Sequence, residues 1–558
     1  MRKIGPIGWI LLATLGAFLL AFLVYPVAYV LKGGLSSDEG VSAAFVLALF
    51  RNPVTLRCIL NSLALAVATT ALTAAVAIPL AFLMRRRFRG KELLSAALLV
   101  PMVMPPFVGA IGIRRLLARF GSVNLLLMQA GLAETPVDWL GSWRFWGVVA
   151  LEVLHLYPIL YLNVVASLAN ISPTMEEAGR NMGASGLHLF RTITFPLMMP
   201  GFFAGASIIF IWAFTDLGTP LLFGYRQVVA VQIFDRVSDI QENPAGYALV
   251  ILVILITAAL FFAARWYVAR GSYVTTGKAE VAAQEKPLRG WSKLVLLYPV
   301  ALTALALLPH ISVVLTALSD KWTDTVLPPE YTTAYFGKAL TDKFSAMSIK
   351  NSLLYSLGST AVDVAIGLLI GYLTIRKRIR GSTVLDAIAM LPLALPGLVL
   401  AFGYVGAFSG VDVLDPRKNP TALLIIAYAV RRMPYMVRVV SAGFQQISEA
   451  FEEASLNLGA SPAMTFRRIT VPLLAGNLIA GSLLCFSFAM LEVSDSLILA
   501  FREDFYPITK AIFQLYSRPT EGANIACAMG ILAMGLLVLT LFIAGSFLGR
   551  KMGEMFRA

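Results

Sequence analysis

Charge is scarce in this sequence. Only 14% of its 558 residues are Asp, Glu, Lys or Arg, against about 25% in an ordinary soluble domain. A soluble chain of this length would also divide into domains joined by polar linkers. Cysteine is scarce too. Cys58, Cys485 and Cys527 are scattered. That excludes a disulfide framework, and they read as small apolar residues. The three histidines, His155, His188 and His310, show no metal-ligand spacing. With no clustered catalytic residues and no metal site expected, a membrane-embedded enzyme lacks its chemistry. A G-x-x-x-x-G-K-[ST] phosphate loop is missing, so this chain is not itself an ATPase.

What is present is apolar. Hydrophobic residues make up 58% of the chain, and runs of about 20 of them recur from end to end. Such a run closes its backbone hydrogen bonds internally as a helix and spans a bilayer. The fold class expected is an all-α polytopic membrane protein. The formal net charge of +14 would indicate nucleic acid in a soluble protein. Here the cations cluster at span ends, as topology signals and lipid-headgroup contacts. No nucleic-acid partner is expected.

A 20-residue window gives about twelve spans. They fall near 7–31, 61–84, 93–113, 146–170, 200–224 and 246–269, then 294–318, 351–374, 384–409, 421–445, 476–500 and 524–549. The first is expected to be a retained span, being too long for a signal-peptide core. The most polar stretch, 270–293, carries Gly277-Lys278-Ala279-Glu280 and Gln284-Glu285-Lys286-Pro287. It reads as a linker between a first unit, 1–269, and a second, 294–558. Arg85-Arg86-Arg87-Phe88-Arg89 closes span two and Arg376-Lys377-Arg378-Ile379-Arg380 closes span eight. Lys and Arg favour the cytoplasmic side, which places these clusters, the linker and both termini inside. Arg114, Arg115, Arg119, Lys338 and Lys343 then fall outside, against the rule.

The two units repeat one another. Asn61-Ser62-Leu63 opens span two and Asn351-Ser352-Leu353 opens span eight. Pro101 and Pro105 sit four apart in span three, as Pro392 and Pro396 do in span nine. Glu176-Glu177-Ala178 matches Glu452-Glu453-Ala454, 276 positions on. The same offset relates Gly183-Ala184-Ser185 to Gly459-Ala460-Ser461, Phe190-Arg191 to Phe466-Arg467 and Pro196-Leu197 to Pro472-Leu473. Duplication of a six-span unit explains this. Both copies run in the same direction, so a pseudo-two-fold axis along the membrane normal is expected.

Each glutamate–glycine segment lies between spans four and five of its unit. Each reads as a short cytoplasmic helix ended by glycine. Acidic residues in the first turn suit the helix dipole, and the glycine suits a left-handed backbone or a close approach. These segments resemble the EAA loop of binding-protein-dependent ABC import permeases. The register is Glu177-Ala178-Gly179 with Gly183, and Glu453-Ala454-Ser455 with Gly459. The third position departs from Ala to Gly and Ser, both small. The resemblance covers both units. It implies that Glu176, Glu177, Ala178, Gly183, Glu452, Glu453, Ala454 and Gly459 form two coupling helices. These would dock on two copies of a separate ABC ATPase. ATP and Mg would be used by that partner, and no cofactor is expected on this chain. A bacterial inner-membrane location and a separate extracytoplasmic binding protein follow from the same resemblance; no long polar α/β region supplies that protein here.

Ionisable residues inside spans are functional candidates. Asp216 in span five aligns with Glu492 in span eleven, with Asp495 close by. These three are the candidates for an acidic translocation path taking a cationic solute, unless they cap backbone amides at a helix end. Glu152, His155, Arg431 and Arg432 could pair within the bundle or line a cavity. The fused architecture, the Asp216-to-Pro220 stretch and the Tyr273-to-Lys278 tail resemble ferric-iron permeases. Thiamine, polyamine and phosphonate permeases share much of the pattern. The competing class is an ion-coupled secondary transporter with two parallel six-span halves.

Overall fold

The computed structural model describes residues 6–37, 40–102, 105–141, 143–240, 244–270, 287–288 and 290–548. The stretch read as a linker, the Tyr273-to-Lys278 tail and both termini lie almost wholly outside these residues. The chain is helical nearly throughout. Among the described residues eight helices are long and apolar enough to cross a membrane, and three bent pairs raise the number to 11. The remaining expected span is the helix Thr421–Gln446. It has the length, but Arg431, Arg432 and Arg438 make it the most polar of the set.

Expected spans three and nine are sharply bent. Ser382–Ala394 and Gly397–Phe408 meet at 100°. Leu395 precedes Pro396 and is extended, with φ −94° and ψ 122°. A residue before proline is pushed out of the α region by the ring, so the helix stops there. In the first repeat Pro105 precedes Pro106 and is held at φ −56°, ψ 137°, for the same reason. Other prolines leave their helices continuous. Pro79, Pro158, Pro309 and Pro434 sit within continuous helices, as neighbouring helices in a bundle permit.

Packing does not follow the sequence units 1–269 and 294–558. One compact unit gathers 1–52, 233–254 and 334–555; the other gathers 53–232 and 255–333. In the first, the helix Tyr25–Leu35 lies on Gly397–Phe408. The Tyr404 hydroxyl donates to the Phe22 carbonyl at 2.6 Å. A Cβ on Gly403 would stand 2.9 Å from the Pro26 carbonyl oxygen. In the second, Leu297–Leu318 lies on Pro106–Leu116, and Ser312 Oγ donates to the Gly112 carbonyl at 2.9 Å. Small residues at such crossings let backbones approach where apolar driving force is absent. The leading span of each sequence unit is therefore packed against residues of the other.

Candidate functional site

The first glutamate–glycine segment is the helix Pro173–Asn181, with proline in its opening turn. Proline suits that position, where a backbone N–H would lack a helical partner. The helix closes at Gly183, φ +89°. The Gly183 N–H bonds the Arg180 carbonyl and the Ala184 N–H bonds the Gly179 carbonyl, both at 2.9 Å. This pair of bonds is a Schellman closure, which needs a left-handed residue at that position. The second segment, Ala450–Asn457, closes identically. Gly459 has φ +88°; its N–H bonds Leu456 at 3.0 Å and the Ala460 N–H bonds Ser455 at 3.2 Å.

Adjacent glutamates part company in both copies. Glu176 Oε1 accepts from Arg85 Nη1 at 3.2 Å and from Thr194 Oγ1 at 3.3 Å. Glu452 Oε1 accepts from Arg376 Nε at 3.1 Å and from Thr470 Oγ1 at 3.0 Å. Arg376 also donates to the Ile447 carbonyl at 2.8 Å and lies over the Phe444 ring. Glu177 and Glu453 are exposed, as are Ala178, Ala454 and both glycines. The reading of all four glutamates as partner contacts is thus narrowed by an internal ion pair at Glu176 and at Glu452.

Apolar side chains beside these glutamates went unnoticed in the sequence. Met182 is 82% and Leu458 89% exposed, and Met175 and Phe451 are exposed as well. Each pair is related by the 276-residue offset, which is the signal that could have found them. The departures at the third motif position also have a partner. A Cβ on Gly179 would meet Leu189 Cδ1 at 2.8 Å, whereas Ser455 hydrogen-bonds Thr465 hydroxyl to hydroxyl at 2.9 Å. Leu189 and Thr465 occupy the same place in the repeat. The two copies have exchanged an apolar fit for a polar one.

Comparison with known proteins gives this arrangement a family. The model described as binding-protein-dependent transport system inner membrane component matches residues 74–272 and 363–554. The chain belongs to this permease family. A ferric transport system permease protein of Actinobacillus pleuropneumoniae is 27% identical over 400 residues, 71% of this chain and 57% of that relative. A putative ferric transport system permease protein of Haemophilus influenzae is 26% identical, over 86% of this chain and 76% of its own length. A probable ABC transporter permease protein of Sinorhizobium fredii is 26% identical, over 96% of this chain and 94% of its own.

Elsewhere in the permease, Asp216 and Glu492 accept hydrogen bonds, whereas Asp495 lies beside a guanidinium with neither oxygen hydrogen-bonded. Asp216 bridges a helix break, its Oδ1 accepting from the Gly218 N–H at 3.1 Å and Oδ2 from the Thr219 N–H at 3.2 Å. It caps backbone amides, the alternative already open to it. Glu492 is held by Arg431 Nη1 at 3.2 Å and by the Arg432 guanidinium. Asp495, fully buried, lies 3.9 Å from Arg431 Nε. Arg431 and Arg432 stand among these carboxylates, and Arg432 also faces the buried Asp363. Glu152 accepts from Thr69 Oγ1 at 2.9 Å, and His155 Nδ1 meets the Pro101 carbonyl at 2.8 Å. Among the described residues no three His, Cys, Asp or Glu side chains assemble as a metal site.

Arg431 reaches its carboxylates across the break in the ninth span. Its guanidinium fills the space where a Cβ on Gly397 would be. Gly397→Ala should therefore destabilise the permease by about 1–3 kcal/mol, the usual cost of overpacking. Gly476→Ala is the control, since nothing lies within 4 Å of a Cβ there. Thermal unfolding in lipid nanodiscs should separate the two; equal midpoints would mean that Arg431 simply moves aside.

Proposed function

We propose that this permease forms both membrane halves of an ATP-driven importer, driven through its two glutamate–glycine segments by two copies of a separate ABC ATPase. The observation that supports this most directly is their repetition. Each is a short helix with the same left-handed glycine closure, the same inward glutamate and the same pair of exposed apolar side chains. A rigid exposed helix can pass a rigid-body movement to the spans behind it. ATP-driven approach of the two ATPase subunits would draw the segments together and rock the two repeats about the path between them. A soluble binding protein would deliver solute on the opposite side. Ferric iron is the substrate we favour, supported by the names of the ferric permease relatives.

Two measurements test this. Cysteines placed at Met182 and Leu458 should resist a membrane-impermeant thiol reagent in intact cells and react after permeabilisation. Labelling from outside would invert the orientation and remove the ATPase from that face. Cells lacking the chain should lose uptake of radioactive ferric iron. Normal iron uptake with loss of another solute would end the iron assignment and leave the importer reading intact.

A further inference from the structure

We infer that Glu176 and Glu452 are positioning residues that fasten each coupling segment to two separate spans. The inference rests on the coupling role proposed above.

The geometry is stated by three chain segments in each copy. Glu176 takes one bond from Arg85, just past the end of the helix Pro53–Met84, and one from Thr194. Thr194 is the last residue of the π-helical turn Phe190–Thr194, which runs into the long helix Phe195–Thr215. Glu452 takes one bond from Arg376, the last residue of the π-turn Tyr372–Arg376 that ends the eighth span. Its other bond comes from Thr470, the last residue of the π-turn Phe466–Thr470. So one carboxylate oxygen joins the segment to the end of one span and the start of another, twice over in the chain.

A topology signal does not need this. A positive-inside arginine has only to remain in water, yet Arg376 is 7% exposed. A buried cation requires a partner, and charge-assisted bonds are the stronger class. Glu176 and Glu452 are correspondingly withdrawn, with 14% and 17% of their side chains exposed. π-Turns are local interruptions of the helical ladder that often occupy functional positions. Here three of them end on a residue bonded to these glutamates. Each glutamate therefore ties the coupling helix to both spans at one carboxylate oxygen, and in the second copy Glu449 adds ion pairs to Arg376 and Arg378.

The test uses the full chain in lipid nanodiscs, with Glu176→Gln and Glu452→Gln combined. Thr194→Val with Thr470→Val removes only the hydroxyls and keeps the shape. Glu177→Gln is the comparison. Amide exchange in Pro173–Asn181 and Ala450–Asn457 should quicken about tenfold in the first two and stay unchanged in the third. With the ATPase that co-purifies from the source cells, the first two should still hold that ATPase while solute uptake falls about tenfold. Unchanged exchange in both would overturn the inference. So would uptake that falls only in step with lost ATPase, which would make these glutamates docking contacts. A wild-type chain that captures no ATPase sinks the coupling reading instead, and the exchange rates still decide the joint.

Discussion

Valine at Gly183 or Gly459 should abolish ATP-driven uptake, and asparagine at the same positions should retain most of it. Both glycines hold φ near +90°, where an L side chain is strained by roughly 1–2 kcal/mol and a β-branched one by more. Among the described residues, leaving out the two chain neighbours, no atom lies within 4 Å of a Cβ built at either position. The cost inside the permease is thus conformational, not steric. Valine would open the Schellman closure and re-aim the chain that follows. Asparagine tolerates the left-handed region and keeps the closure. Alanine should fall between them. Uptake and ATPase retention, measured on the three variants at each site, separate two causes of failure. Loss in the order Val, Ala, Asn points to backbone strain. Equal loss in all three points to a partner surface with no room for any side chain.

The second large effect concerns the buried charges. Arg432→Leu should destabilise the permease by about 3–5 kcal/mol, because Glu492, Asp495 and the buried Asp363 would be left with one guanidinium among them. Adding Glu492→Leu should recover part of that loss, since Arg431 and Asp495 can then pair while Asp363 stays without its guanidinium. Arg432 also donates to the Phe488 carbonyl at 2.9 Å and lies over the Phe488 ring. That packing is lost in both variants and limits the recovery. Denaturant unfolding in nanodiscs gives the comparison. A double variant as weak as the single one would show that Arg432 works through Phe488 and not through charge.

The sequence already carried most of the architecture. Apolar runs placed the helices, and the constant offset between the halves exposed the duplication that the family match bears out. The glycines were read as suiting a left-handed backbone or a close approach, and both have the left-handed backbone. Spans three and nine were drawn through their prolines. Hydropathy alone does not register that Leu395 and Pro105, each followed by proline, must leave the helix. The glutamate pair was read as one surface. Neighbouring residues on a helix point about 100° apart, so one of them had to turn elsewhere; which one depends on Arg85 and Arg376, many residues distant. The acidic candidates were identified and their partners were named beside them. That Arg431 and Arg432 meet Glu492 and Asp495 is a fact of packing that spacing does not encode. The interleaved units were equally hidden, because an apolar helix does not record which neighbour its small residues fit.

That interleaving sets a timetable for synthesis. The Tyr404 hydroxyl and the Phe22 carbonyl are 382 residues apart in the chain. At about 5–20 residues per second, the amino-terminal helix must wait roughly 20 seconds to over a minute for its partner to leave the ribosome. Gly33 and Gly34 lie against Tyr247 and Ile251, which emerge earlier. Pro26 lies against Gly403, which emerges much later. A ribosome that stops after residue 269 therefore leaves a newborn helix with one flank still facing lipid, a recognisable mark of an unfinished chain for membrane quality control.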